Sequence, residues 1–171
     1  MDIRTGPPHS VDHLIQLLYA CRGASDTSYG SGDPVDLHDH ALRTAALLRR
    51  SYPSDKELQT AGLVHRIGTV LRPGEAAPAR LAADAVRPLL GTRVARLVLL
   101  QAPAGRRLAA KGAMTEAEAS DFDRDPYAED ALTVRHAADT AKITGFGVGV
   151  LEDWRPVLEL LAAAAAATSH A

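Results

Sequence analysis

The sequence of 171 residues predicts an all-α protein folded as a single bundle. Three observations predict it. Apolar residues recur at i, i+3 and i+4 from Val11 to the Ala-rich stretch that closes the chain, the spacing of one face of a helix. Strict alternation of apolar and polar residues, the mark of a half-buried strand, is found nowhere at useful length, and there is no internal repeat. Proline and glycine punctuate the helical stretches at Tyr52-Pro53, Arg72-Pro73-Gly74 and Gly91, where a bundle needs turns.

Taken in order, Met1–Ser10 reads as a flexible lead-in because Gly6-Pro7-Pro8 opposes regular structure, and residues 11–168 form the helical domain. Ser10 is placed to cap a helix over Val11–Cys21, with Val11, Leu14, Ile15, Leu18 and Tyr19 on one face. Arg22–Pro34, rich in Gly, Ser and Asp, reads as a loop. Asp36–Arg50 forms the next helix and ends ahead of Pro53, which disfavours helical backbone in the residue before it. Ser54 or Asp55 caps a helix expected to run unbroken to Leu71. Its residues Leu58, Ala61, His65 and Gly68 share one face, so His65 points where the apolar side chains point. Two further helices, Pro78–Leu90 and Thr92–Ala102, flank Gly91, and Pro103 to Gly112 reads as basic and irregular. Thr115-Glu116-Ala117-Glu118 has the pattern of a capping box. Asp125-Pro126 then opens a helix from Tyr127 to about Thr144, Gly145–Gly149 is a loop, and Leu151–Ala167 is the closing helix.

Composition narrows the function classes. A chain of this length buries a substantial core as one domain. Hydrophobic residues at 46% and charged residues at 23% are ordinary for a globular protein. A net charge of −2 gives no reason to expect nucleic acid or an anionic membrane as partner. No apolar run reaches the roughly 18–20 residues that span a bilayer, and the first residues lack the apolar core of a secretory signal. Cys21 is the single cysteine, which forbids an internal disulfide and suits a reducing compartment, so a cytoplasmic location is expected. Cys21 has no charged partner evident in sequence and reads as a buried, inert thiol. Gly145-Phe146-Gly147-Val148-Gly149 follows a helix rather than a strand and is no dinucleotide-binding fingerprint.

Three stretches carry a resemblance. Asp33-Pro34-Val35 lies shortly before His40-Ala41-Leu42; Ala61–Gly68 contains His65-Arg66-Ile67-Gly68; and Gly112-Ala113-Met114-Thr115-Glu116-Ala117-Glu118-Ala119 runs on to Asp125-Pro126. Together they resemble the HD-domain superfamily, whose motif is His-Asp-x-Gly on a buried helix. The branch most similar is that of the small di-iron oxygenases that cleave carbon–phosphorus bonds, related to inositol oxygenase. The match spans most of residues 29–150. It implies an all-helical HD-type bundle whose inner face once held metal.

The ligands that the resemblance implies are largely absent. His40 and His65 stand at the first two positions. Arg66 replaces the Asp, Pro78 stands nearest the third His, Gln101 at the fourth, and Ala138 or Asp139 at the final carboxylate, according to register. Arg keeps its proton at ordinary pH and cannot coordinate. A guanidinium about 4 Å from a divalent cation is repelled by roughly 8 kcal/mol at an effective dielectric near 20. No metal and no cofactor are therefore expected.

Two readings stand for each candidate. His40 and His65 are either core histidines with satisfied ring nitrogens or residues of the former pocket that bind ligand and move protons. Arg66 either turns outward to an acid such as Asp39 or supplies the charge the metal once supplied, gripping a carboxylate or phosphate-like group bidentately. The resemblance places Arg106 and Arg135 near the substrate and gives Asp33 the part of an acid that closes the site. The sequence thus favours a metal-independent enzyme that binds a small anionic metabolite through Arg66, Arg106, Arg135, Gln101 and Asp33, with His40 and His65 as acid–base groups. The alternative is a pseudoenzyme serving as a binding or partner module, and an intact di-iron oxygenase or phosphohydrolase ranks last. Neither nucleic acid nor membrane is an expected partner, and a homodimer is left open.

Overall fold

Local capping chemistry sets the starts of four α-helices in the computed structural model, which describes residues 6–26, 35–109, 111–143 and 147–170. Helix α1 (Val11–Ala20) begins where the Ser10 hydroxyl accepts the His13 N–H. Helix α2 (Leu37–Ser51) begins where the Asp36 carboxylate accepts from the N–H groups of His38 and Asp39. Asp55 caps α3 (Lys56–Val64) by accepting from Leu58 N–H. Thr115 and Glu118 complete both halves of a capping box at α8 (Glu116–Asp123). Each cap satisfies donors that a helix start otherwise leaves orphaned.

The remaining elements are α4 (Gly68–Leu71), α5 (Pro78–Leu90), α6 (Thr92–Leu99), α7 (Gln101–Leu108), α9 (Ala128–Ala141), a 3-10 turn at Leu151–Trp154, and α10 (Arg155–Ser169). The all-α expectation holds. The one addition among the described residues is a two-residue antiparallel pair, β1 (Ser25–Asp26) with β2 (Val35–Asp36), in which Ser25 faces Asp36. It closes the base of a segment read as loop from its Gly, Ser and Asp content. Of the lead-in, residues 6–10 are described, and Pro8 is buried. Thr144 to Phe146 lie outside the described residues.

Two of the helix boundaries that differ from the sequence expectation lie at the site. The helix expected to run from Asp55 to Leu71 stops at Val64, and His65–Ile67 form a tight turn before α4. Ile67 N–H bonds three residues back to Val64, and Thr69 N–H to Arg66, in place of four-residue steps. Conversely, α7 keeps the chain helical through Leu108, where an irregular segment from Pro103 is expected. Pro103 sits in the first turn of α7, where a missing N–H costs nothing. Its ring removes the bond it would have made to Leu99, which is where α6 ends.

Helix α2 packs along α3 and α9; α5 packs on α6, α4 and α10; α3 also meets α6, and α7 lies on α9. The core they enclose is mainly aliphatic, with Leu14, Leu48, Leu58, Ile67, Leu97 and Leu158 all buried. Its buried aromatics include Phe122 and Trp154; Trp154 is 1% exposed, with the Arg49 guanidinium 3.7 Å from the ring centroid. Arg93 joins the start of α3 to α6 and α9 through Asp55, Glu57 and Asp130, at 2.8–3.0 Å. No helix of the described residues is long and apolar enough to cross a membrane.

Candidate functional site

The turn between α3 and α4 presents its residues to one open cleft of about 910 Å3. Its walls come from that turn, the start of α5, the start of α7, and α9. His65, Arg66, Gln101, Arg106 and Arg135, all singled out from sequence, line it together. His40 does not line it. It stands behind His65, 5% exposed, with the two ring centroids 5.6 Å apart in an edge-on arrangement. Asp33 lies outside the described residues.

The hydrogen bonds of the two histidines assign their protons. His40 Nε2 lies 2.8 Å from the carbonyl oxygen of Ala138, and His65 Nδ1 lies 2.7 Å from that of Gly62. A carbonyl only accepts, so each of these nitrogens carries hydrogen and donates. The rings are thus opposite tautomers. Nε2 is the nitrogen that His65 has left to offer as an acceptor. Both rings are held neutral. Burial lowers His65 to about 3, with His40, Arg135 and Lys142 acting in the same direction against the bond to Gly62. Burial likewise lowers His40, partly opposed by its bond to Ala138.

Arg66 is half-buried, and burial lowers its pKa first and the neighbouring Arg135 guanidinium second. Arg135 projects from α9, and its side chain is 15% exposed. It pairs with Asp139 at 3.1 Å, and Lys142 reaches the same carboxylate at 3.1 Å. Burial raises Asp139, and the hydrogen bonds from Arg135 and Lys142 more than offset it, so this carboxylate stays ionised. Gly105 makes room for Arg135: a methyl group there would stand 2.9 Å from its Nη1.

Gln101, 5% exposed, donates from Nε2 to Leu97 at 3.0 Å and to Ala131 at 3.2 Å. Those two bonds fix the amide, and its Oε1 has no partner among the described residues. Helices α5 and α7 both begin at the cleft, and neither is capped by a side chain.

Sequence reasoning missed Arg80 on the first turn of α5, which also lines the cleft. No local pattern marks it, because tertiary packing alone brings α5 to the His65 turn. Among the described residues no group of three or more His, Cys, Asp or Glu could hold a metal ion. Cys21 is buried in the core within electrostatic reach of Arg66, which acts to lower the pKa of its thiol. Burial and Asp36 push its thiol up to about 12, as befits an inert core residue.

No protein-family model matches the chain. Hydroxymethylphosphonate dioxygenase from Gimesia maris is similar to it, 25% identical over 151 aligned residues that cover 71% of this chain and 75% of that protein. This distant similarity supports the HD-domain-like branch indicated by the motifs around His40, His65 and Thr115.

Proposed function

We propose that this HD-like scaffold binds a small anionic metabolite in the cleft and that His65 accepts a proton there without help from a metal. One observation carries the reading: Arg66, Arg106 and Arg135 converge with His65 and Gln101 on a single open cleft. Two guanidiniums close enough to depress one another's charge gain most from an anion set between them. The planar fork of each suits a carboxylate or phosphate-like group. His65 offers Nε2 as acceptor. At a pKa of about 3 it is a weak base on its own, and a bound negative charge raises it toward the range that general-base catalysis needs.

Loss of the ancestral metal is part of this reading. The donor set supports it: His40 spends Nε2 on the carbonyl of Ala138, no third His, Cys, Asp or Glu joins the pair among the described residues, and Arg66 stands beside it. A pair of metal ions does not fit such residues. Elemental analysis of protein purified without chelator is expected to find no stoichiometric iron, manganese or zinc. One or two ions per chain would defeat this part of the proposal.

The binding claim is tested by thermal unfolding with and without inorganic phosphate, sulfate or acetate at constant ionic strength. Each is expected to raise Tm through binding linkage, about 2.7 kcal/mol at a hundredfold excess over Kd. Arg66→Ala removes the rise, and Arg66→Lys weakens it. Wild-type protein indifferent to all three anions would end the proposal.

A second reading, a binding module without turnover, is favoured by a specific observation: the low basicity of both histidines. It predicts anion binding that survives His65→Asn, with no consumption of any bound metabolite.

A further inference from the structure

The cleft carries its positive charge in two tiers. Arg66 and Arg135 sit deep beside His65 and the buried Gln101 amide. Arg80 and Arg106 are exposed at the rim, the first on α5 and the second on α7. Among the described residues neither member of the rim pair makes an ion pair. Their neighbours differ in this. Arg107, outside the cleft, pairs with Asp123 at 3.1 Å, and Arg72, also in the lining, pairs with Glu75 at 2.8 Å. Glu118, whose charge Arg106 feels, has both its cap bonds committed to Thr115. Apolar lining from Leu100, Pro103, Pro78 and Ala79 completes the walls.

Size adds a constraint. About 910 Å3 lies near the upper end of the ~300–1,000 Å3 that bury a drug-sized molecule. A lone phosphate or carboxylate leaves most of that space to water.

We infer that the natural ligand is an elongated molecule with an anionic group at each end and a neutral carbon segment between. One end is held deep by Arg66 and Arg135, the other at the rim by Arg80 and Arg106, and the carbon segment lies against Leu100 and Pro103. This inference rests on the anion-binding reading above and narrows its ligand class. The second contact is intramolecular once the first is made, so a ligand of matching length gains from effective concentration.

The test uses the full chain and a series of straight-chain α,ω-dicarboxylates, from succinate to azelate. Monocarboxylates of the same lengths and inorganic phosphate serve as comparison, all at constant ionic strength. Affinity is expected to pass through a maximum at one dicarboxylate length and there to exceed the matched monocarboxylate by at least about tenfold. The Arg80→Ala, Arg106→Ala double variant is expected to erase that advantage, so that within the variant each dicarboxylate binds no better than its matched monocarboxylate, while the unliganded Tm stays unchanged. Dicarboxylates binding no better than monocarboxylates, or an advantage that survives loss of both rim arginines, would overturn the inference and leave anion binding standing. Failure of every anion, phosphate included, would overturn both.

Discussion

Replacing Gly68 with alanine is expected to cost about 3 kcal/mol or more of stability. A methyl group built there lies 1.9 Å from the carbonyl oxygen of Pro78 and 2.7 Å from its carbonyl carbon. Both are backbone atoms, so no change of rotamer relieves the overlap, and α4 and α5 must part. The usual gain from alanine in a helix, about 1 kcal/mol over glycine, does not offset this. For a domain of this size such a loss lowers Tm by roughly 10 °C. Gly105→Ala is the contrasting substitution. Its new methyl meets the tip of Arg135 at 2.9 Å, and a flexible side chain swings aside. Thermal or urea unfolding of the two variants, measured side by side, decides the matter. Equal stability would show that the α4–α5 contact tolerates a side chain.

Mild acid is expected to destabilise the protein through its two buried histidines. In the unfolded chain each titrates near its ordinary value of about 6.5, whereas folded His65 takes a proton only near 3 and folded His40 is lowered too. Between those values the unfolded state binds protons that the folded state refuses, so stability rises with pH. It is therefore complete above about pH 6.5 and declines as the pH falls toward 3, by about 1.4 kcal/mol per pH unit for each histidine so held. Carboxylates held low by arginines, Asp55 by Arg93 and Asp139 by Arg135 and Lys142, add their own loss below about pH 4. The histidine window from pH 6.5 to 4.5 is thus separable. Unfolding free energies measured across it should slope steeply for wild type and less for His65→Asn, which keeps a donor for Gly62 but cannot titrate. Parallel slopes would show that His65 charges freely in the folded protein.

Much of this molecule is legible without coordinates, because the relevant signals are local. Ser10, Asp55 and Thr115 announce helix starts by their own hydrogen-bonding chemistry, and each caps its helix as its sequence context implies. The burial of His65 follows from its spacing to Leu58 and Ala61. The rest depends on contacts remote in sequence. Nothing near His40 in the chain foretells that its imidazole donates to a carbonyl 98 residues further on. The break at His65–Ile67 has no proline to mark it. It goes with the close approach of Gly68 to Pro78, which only the folded chain brings about. Arg80 carries no local signal for the same reason, and α7 is masked because the basic, Gly-containing run after Pro103 reads as irregular although Pro103 stands in a first turn.

That same approach has a metric consequence. Gly68 lies two residues past Arg66, and Pro78 lies two residues before Arg80. With backbone resting directly on backbone, no compressible side chain separates the segment that carries the deep charge from the segment that carries the outer one. The interval between these two guanidinium anchor points is therefore set by main-chain atoms, as the graduations of a ruler are set by its material. A two-ended anion of the kind inferred above would find the backbone positions of Arg66 and Arg80 fixed, with only their side chains left to adjust.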